Sequence, residues 1–465
     1  MSNQQLTTGS IPRHIANMAV PASIGLFFQT MYNVVDSFYA GEISTTALAA
    51  LGLSFPVFLM VISASSGLSR AAAALIANAI GQENEELQKR YTCQAISLGA
   101  LISIALAFAG NAIAPTVFDW LGAKDEFLDY AMAYMTPIFW GSCFFILLTV
   151  CNAILIAGGD SKTLGKVLVT GFFLNLVLDP WFLYGGYGLP AMGISGIALA
   201  TVVIQALGSS YMLYVVISRG HLKGTTLQQY LPDWKIYQEI MVQAIPASFN
   251  TLSVALGFFI VNYFLKGYGE AAIAAFGVTT RIEQIGLMPT FGLYAAILAL
   301  VGQNNGAGRF DRILKTLRFS NAVGFGLSVA TSVLILIFAV PLIRIFTDDP
   351  EVIGIGRTCL YIMMLIQWSY VITSTHLATL QALKKPFYGF FETILRKLAL
   401  PLLLIVVLNR TTTLGLNSVW VGVAVANVLM TIVTVVFTWQ KLGDIGSGPS
   451  EAVVPTGEVE PATKA

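Results

Sequence analysis

Charge is scarce in this chain. Of its 465 residues only 11% are Asp, Glu, Lys or Arg, whereas 56% are hydrophobic. A soluble domain carries roughly 25% charged residues, and a soluble chain of this length divides into domains that each need a polar surface. The shortage excludes that class, so most side chains must face lipid or one another. Histidine and cysteine are also few. His14, His221 and His376 are scattered, and Cys93, Cys143, Cys151 and Cys359 lie in apolar stretches. No zinc or haem spacing results, and the cysteines read as small buried apolar residues. No Gly-rich Walker loop is present, which removes ATP-driven pumping. A net charge of +1 offers nothing to nucleic acid. No enzyme chemistry and no cofactor are expected.

What the chain does have is long apolar runs. A spanning helix needs about 20 apolar residues. Twelve segments qualify, at 15–39, 47–79, 92–117, 127–157, 163–184, 192–217, 237–265, 271–302, 317–341, 354–382, 387–408 and 417–439. The alternating pattern of a barrel is missing, so the fold class is an all-α polytopic membrane protein. The polar N-terminus lacks signal-peptide architecture, and the first span reads as a retained helix. With an even number of spans both termini share one side. Arg13, Lys89, Arg90, Lys162, Lys166, Arg219, Lys223, Lys235, Arg309, Arg312, Lys315, Arg318, Lys384, Lys385, Lys441 and Lys464 fall on that side. Only Lys124, Lys266, Arg344, Arg357 and Arg410 fall on the other. This asymmetry places both termini in the cytoplasm of an inner (plasma) membrane.

The chain also repeats itself. Pro21-Ala22-Ser23 returns as Pro246-Ala247-Ser248, and Leu48 to Gly52 returns as Ile273 to Gly277, both displaced by 225 residues. Gly81-Gln82 matches Gly302-Gln303, and Gly196 to Ala200 matches Gly422 to Ala426, at nearly the same offset. Two six-helix halves of one topology follow, related by an axis along the membrane normal. The organisation is a cytoplasmic N-terminal segment (1–14), a first lobe (15–218), a cytoplasmic linker (219–236), a second lobe (237–440) and a disordered tail (441–465).

Charges inside spans are costly, at least ~2.5–3.5 kcal/mol each, and so mark function. Asp36 sits late in the first span with Tyr32 at i−4 on its face, and Gln29 is a further turn back. Asp179 sits late in the fifth span with Asn175 at i−4, followed by Pro180. Both spans run in the same direction, so the two carboxylates share a depth, which Thr201 of the sixth span can reach. Carboxylates in low dielectric hold protons readily, and more so in pairs. Together with amide and hydroxyl oxygens they also suit a hard cation such as Na⁺. Pro21 and Pro180 weaken the helical ladder and free carbonyls. Arg70 has no local partner. Arg281 and Glu283 are i and i+2 and do not face each other. Arg396 and Lys397 lie well inside the eleventh span, with Glu392 and His376 as candidate partners.

These residues carry a resemblance. The chain is similar to the multidrug and toxic compound extrusion (MATE) family, and within it to the bacterial, DinF-like branch related to the DNA-damage-inducible exporter. The similarity covers roughly 14–440. It rests on Pro21 to Ser23, Asn33 to Ser37, Ala47 to Gly52, Gly81-Gln82, Gly302-Gln303, Ala157 to Asp160, Asn175 to Pro180 and Arg281 to Gln284. The resemblance implies twelve helices in two pseudo-symmetric six-helix lobes and alternating access. It also implies efflux of small, often cationic and amphipathic drug-like substrates in exchange for H⁺ or, alternatively, Na⁺. Its coupling site would be Asp36, Asn175, Asp179 and Thr201, with Tyr32 and Tyr134 around it and a helix-1 bend at Pro21. A bound Na⁺ would use Asp36, Asn175, Asp179 and Thr201. Asn152 also matches a family position, yet on one helix with Tyr134 it lies about 27 Å away. Gln29, Asn152, Arg281, Glu283 and Arg70 are candidate cavity residues. The implied partners are drug-like molecules and the bilayer, with the protein a monomer. The rival expectations are a flippase for lipid-linked precursors, which needs a cationic central cavity, and a channel or receptor, which needs no paired carboxylates.

Overall fold

The computed structural model describes residues 6–186 and 188–447. Nearly all of them are helical. The first half holds α1 (Ile11–Ile43), α2 (Thr45–Gly81), α3 (Glu85–Trp120), α4 (Glu126–Trp140), α5 (Ser142–Ala157), α6 (Lys162–Tyr184) and α7 (Ile194–Ser218). The second holds α8 (Trp234–Leu265), α9 (Glu270–Gly306), α10 (Phe310–Ile337), the short α11 (Ala339–Arg344), α12 (Pro350–Ala382), α13 (Pro386–Ile394), α14 (Leu400–Thr411) and α15 (Asn417–Ser447).

Among the described residues ten helices are each long and apolar enough to cross a bilayer. An eleventh span is the pair α4–α5, bent by 49° at Gly141. The bend follows from local chemistry. Pro137 interrupts the ladder one turn earlier, and a Cβ at Gly141 would sit 2.6 Å from Val202. The twelfth is the run from α13 to α14 through a π-turn at Leu395–Ala399. Glu392, Arg396 and Lys397 dilute its apolar character. Most helices extend past the expected spans, as in α3, which starts at Glu85 rather than 92. Polar ends are stabilised by caps such as Ser44 on Ala47 (2.9 Å) and Asn84 on Leu87 (2.9 Å), and hydropathy does not register these.

One expected boundary needs correction. The tail set at 441–465 begins as helix, because α15 continues to Ser447; the remainder lies outside the described residues. The N-terminal segment packs against the second half from Leu6 onward. Leu6 is fully buried, its amide donates to Gln303 (2.9 Å), and its carbonyl accepts from Arg312 (3.0 Å). The linker is docked as well. Gln94 donates to the Gln229 and Leu231 carbonyls, both at 2.7 Å, and Arg90 pairs with Asp233 at 2.6 Å.

The buried cores define the shape. One core draws on both halves, with Met18, Leu68, Ile76 and Ile154 joining Ile240, Leu293, Ile297 and Leu317. All of these lie toward the end at which α1 begins and α7 ends. Toward the opposite end there are two separate cores. One is built only from the first half (Val57, Val61, Phe118, Met135, Ile197) and the other only from the second (Leu265, Ile343, Leu360, Trp420). The halves are therefore joined at the basic end and apart at the other. Repeat-related positions meet at the join: a Cβ at Gly81 would collide with the Gln303 backbone. Gln303 donates to the Ala157 carbonyl (2.6 Å), Asn78 to that of Ala382 (2.9 Å), and Asn305 to Asn78 (2.7 Å). Large apolar side chains such as Val34, Phe38, Phe108, Phe173 and Leu365 are exposed, the surface that a lipid-embedded protein presents.

Candidate coupling site

Four helices of the first half bring the expected residues together. α1 supplies Asp36, α6 supplies Asn175 and Asp179 one turn apart, α4 supplies Tyr134, and α7 supplies Thr201. Asp36 is 3% exposed and Asp179 0%, so neither carboxylate faces water. The Asn175 amide joins them: Nδ2 donates to Asp179 Oδ1 at 2.8 Å and to Asp36 Oδ1 at 3.2 Å. Tyr134 (3.4 Å) and Thr201 (3.5 Å) donate to Asp36 Oδ2 through long contacts. Asp179 Oδ2 and Asn175 Oδ1 are buried with no hydrogen-bond partner among the described residues.

Two acids share one amide, with no basic residue within ion-pair distance among the described residues. Such a cluster is short of positive charge. It can accept a proton, which converts a carboxylate from acceptor only into a donor. It can also accept a small cation, with the orphaned oxygens as further ligands.

The other expected residues distribute differently. Tyr32 shares a face with Asp36 and is buried, but its hydroxyl donates to the Leu168 carbonyl at 2.7 Å. Gly171 leaves room for that ring, so Tyr32 walls the site and is not a ligand. α1 passes through Pro21 and α6 through Pro180 as single helices. Gln29 is half-buried and makes no hydrogen bond to the cluster. Asn152 lies on α5 toward the basic end with its Oδ1 unpartnered. Arg281 is exposed, Glu283 is half-buried, and neither is in an ion pair among the described residues. Both lie in the second half, away from the cluster. Arg70 stacks over Tyr294 of α9, 5.0 Å from the ring centroid.

The second half has its own polar interior. Arg396 Nε pairs with Glu392 Oε1 at 2.5 Å, and its Nη1 donates to Asn427 at 3.1 Å. The i−4 spacing of Glu392 signals the first contact, but nothing local signals Asn427. His376 is not the partner of this group; it meets Asn321 at 3.1 Å. Lys397 donates to the Asn250 carbonyl at 3.2 Å.

Comparison with known proteins agrees with this architecture. The MatE family profile matches residues 21–181 and again 246–407, starting at the two repeat-related prolines. A probable multidrug resistance protein NorM of Thermotoga maritima is 27% identical over 93% of this chain and 94% of its own length. An FAD transporter of Shewanella oneidensis is 26% identical over 75% of this chain and 77% of its own. A solved structure titled as the outward-facing conformation of a multidrug resistance MATE family transporter superposes with a TM-score of 0.89 at 25% identity. It covers 96% of this chain and 99% of that one. The chain belongs to the MatE (multidrug and toxic compound extrusion) family of membrane transporters and is not an enzyme.

Proposed function

We propose that this protein is a secondary active exporter. It releases small amphipathic molecules in exchange for H⁺ taken up at Asp36 and Asp179, by alternating access between its two lobes. The observation that carries this reading is the buried acid–amide–acid arrangement linking α1 to α6. The basic loops favour a cytoplasmic location for the joined end, so the lobes part toward the outside. In that state the site awaits an external ion. A proton on either acid permits a direct carboxyl–carboxylate bond and draws α1 against α6, with Pro21 as the point where α1 can yield. Each charge moved inward is worth ~2.3 kcal/mol per 100 mV, enough for one or two ions to drive uphill export. H⁺ is preferred over Na⁺ because the amide presents its nitrogen, a donor, to both carboxylates.

Transport in proteoliposomes under separately imposed H⁺ and Na⁺ gradients tests this. Acid outside accelerates export of a fluorescent drug, and the acceleration disappears in both Asp36→Asn and Asp179→Asn. A flux driven by sodium alone transfers the site to Na⁺. Undiminished pH-driven flux in both variants removes the site.

A further inference from the structure

A patch where the two lobes join carries charge of one sign. Arg70 of α2, Tyr294 of α9 and Lys397 of the π-turn each lie roughly 16–18 Å from the basic ends of their helices, close to the bilayer midplane. A small cleft running from that level to the basic ends of α12 and α13 is lined by Arg70, Asn250, Tyr294, Gln381 and Lys385, among others, and contains no carboxylate. Asn250 connects it to Lys397, whose ammonium rests on the Asn250 carbonyl. Among the described residues neither Arg70 nor Lys397 has a carboxylate within 4.0 Å.

The acids that could neutralise them are committed or distant. Glu392 holds Arg396. Asp36 and Asp179 are sealed inside the first lobe. Glu283 lies roughly 16 Å along α9 from Tyr294, toward the open mouth. Two half-buried basic side chains with no carboxylate within ion-pair distance are costly until an anion arrives. The Leu395–Ala399 π-turn, a distortion that recurs at functional sites, adds to the case, since it is the element that bears Lys397.

We propose that this patch binds the anionic head of the transported molecule. The ligand class is a phosphate-bearing amphiphile, with Arg70 and Lys397 on the phosphate oxygens and its apolar part extending up the cleft. This rests on the export reading above and reverses the substrate charge that the family resemblance implies. Midplane sites at a repeat interface are where transporters place substrate.

Riboflavin and FMN share the fluorescent ring and differ by one phosphate, and FAD adds a second phosphate together with adenosine. Binding of each to the purified full-length protein, read by fluorescence anisotropy, is expected to tighten from riboflavin to FMN by about tenfold or more, as hydrogen bonds to charged groups contribute. Arg70→Gln and Lys397→Gln erase that preference. Arg70→Lys and Lys397→Arg restore part of it, which separates loss of charge from misfolding. Riboflavin binding as tightly as FMN overturns the proposal, as does full FMN preference in both glutamine variants. Added phosphatidylglycerol that displaces FAD in an Arg70-dependent way assigns the phosphate to a lipid; absence of displacement assigns it to a soluble molecule. Binding needs no ion gradient. Phosphate preference without gradient-driven export therefore sinks only the coupling reading, and export of a cationic dye without phosphate preference sinks only this one.

Discussion

Asn175 on α6 reaches across to Asp36 on α1 at 3.2 Å while holding Asp179 of its own helix at 2.8 Å. One amide thereby ties two spans through two acids. Asn175→Leu preserves the approximate volume and removes the tie. We expect the pH-driven component of transport to fall on the order of tenfold or more, the range of a typical coupling energy. Downhill leakage of substrate should persist. Initial export rates with and without an imposed pH gradient check this.

Tyr134 and Thr201 touch the same Asp36 oxygen, at 3.4 and 3.5 Å. Such long contacts contribute less than a well-formed hydrogen bond, about 1 kcal/mol. Tyr134→Phe and Thr201→Val should each shift the pH dependence of export and leave its maximum nearly intact, in contrast to the acid variants. Rate–pH profiles of the four variants decide it.

Gln303 fastens the basic end by accepting from Leu6 and donating to Ala157. Gln303→Leu removes both bonds, a loss of about 2 kcal/mol to the closed arrangement. Cys151 is fully buried in the shared core beneath this join. Its modification by a polar maleimide, followed by mass spectrometry, should accelerate roughly tenfold or more in the variant, the Boltzmann factor of that loss. An unchanged rate means the join is held by apolar packing alone.

Glu392 and Arg396 form a buried pair, at 0% and 8% side-chain exposure. Removing one partner leaves the other charged and unpaired, at a cost of about 3–5 kcal/mol. Glu392→Gln should lower the thermal unfolding midpoint in detergent sharply. Lys397→Gln has no ion pair to break and should not. By comparison Asp233→Ala, which removes the α8 cap on Lys235 and Ile236 and the exposed pair with Arg90, should cost about 1–2 kcal/mol.

The membrane class and the spans are legible in composition, because a run of apolar residues has only one way to satisfy its backbone in lipid. The Asp36–Asn175–Asp179 cluster is legible because each helix carries its own pair on one face, and the two helices run the same way. Other features depend on distances between helices, which no local pattern encodes. Tyr32 shares the face of Asp36, but the space opened by Gly171 diverts its hydroxyl to Leu168. Arg281 and Glu283, two residues apart on α9, do not face each other, and among the described residues neither finds an ion-pair partner: Arg281 is exposed and Glu283 half-buried. Arg70 meets Tyr294 and Arg396 meets Asn427 only after the helices pack together. Leu6 reads as part of a polar arm, but the carbonyl-rich segment around it satisfies Arg309 and Arg312.

The most direct measurement of the coupling claim is difference infrared spectroscopy of the reconstituted protein between alkaline and acid buffer. Uptake of a proton by the acid pair predicts a protonated-carboxyl band in the wild type that shrinks in Asp36→Asn and in Asp179→Asn and does not respond to sodium. Wild-type and variant spectra that coincide would contradict it.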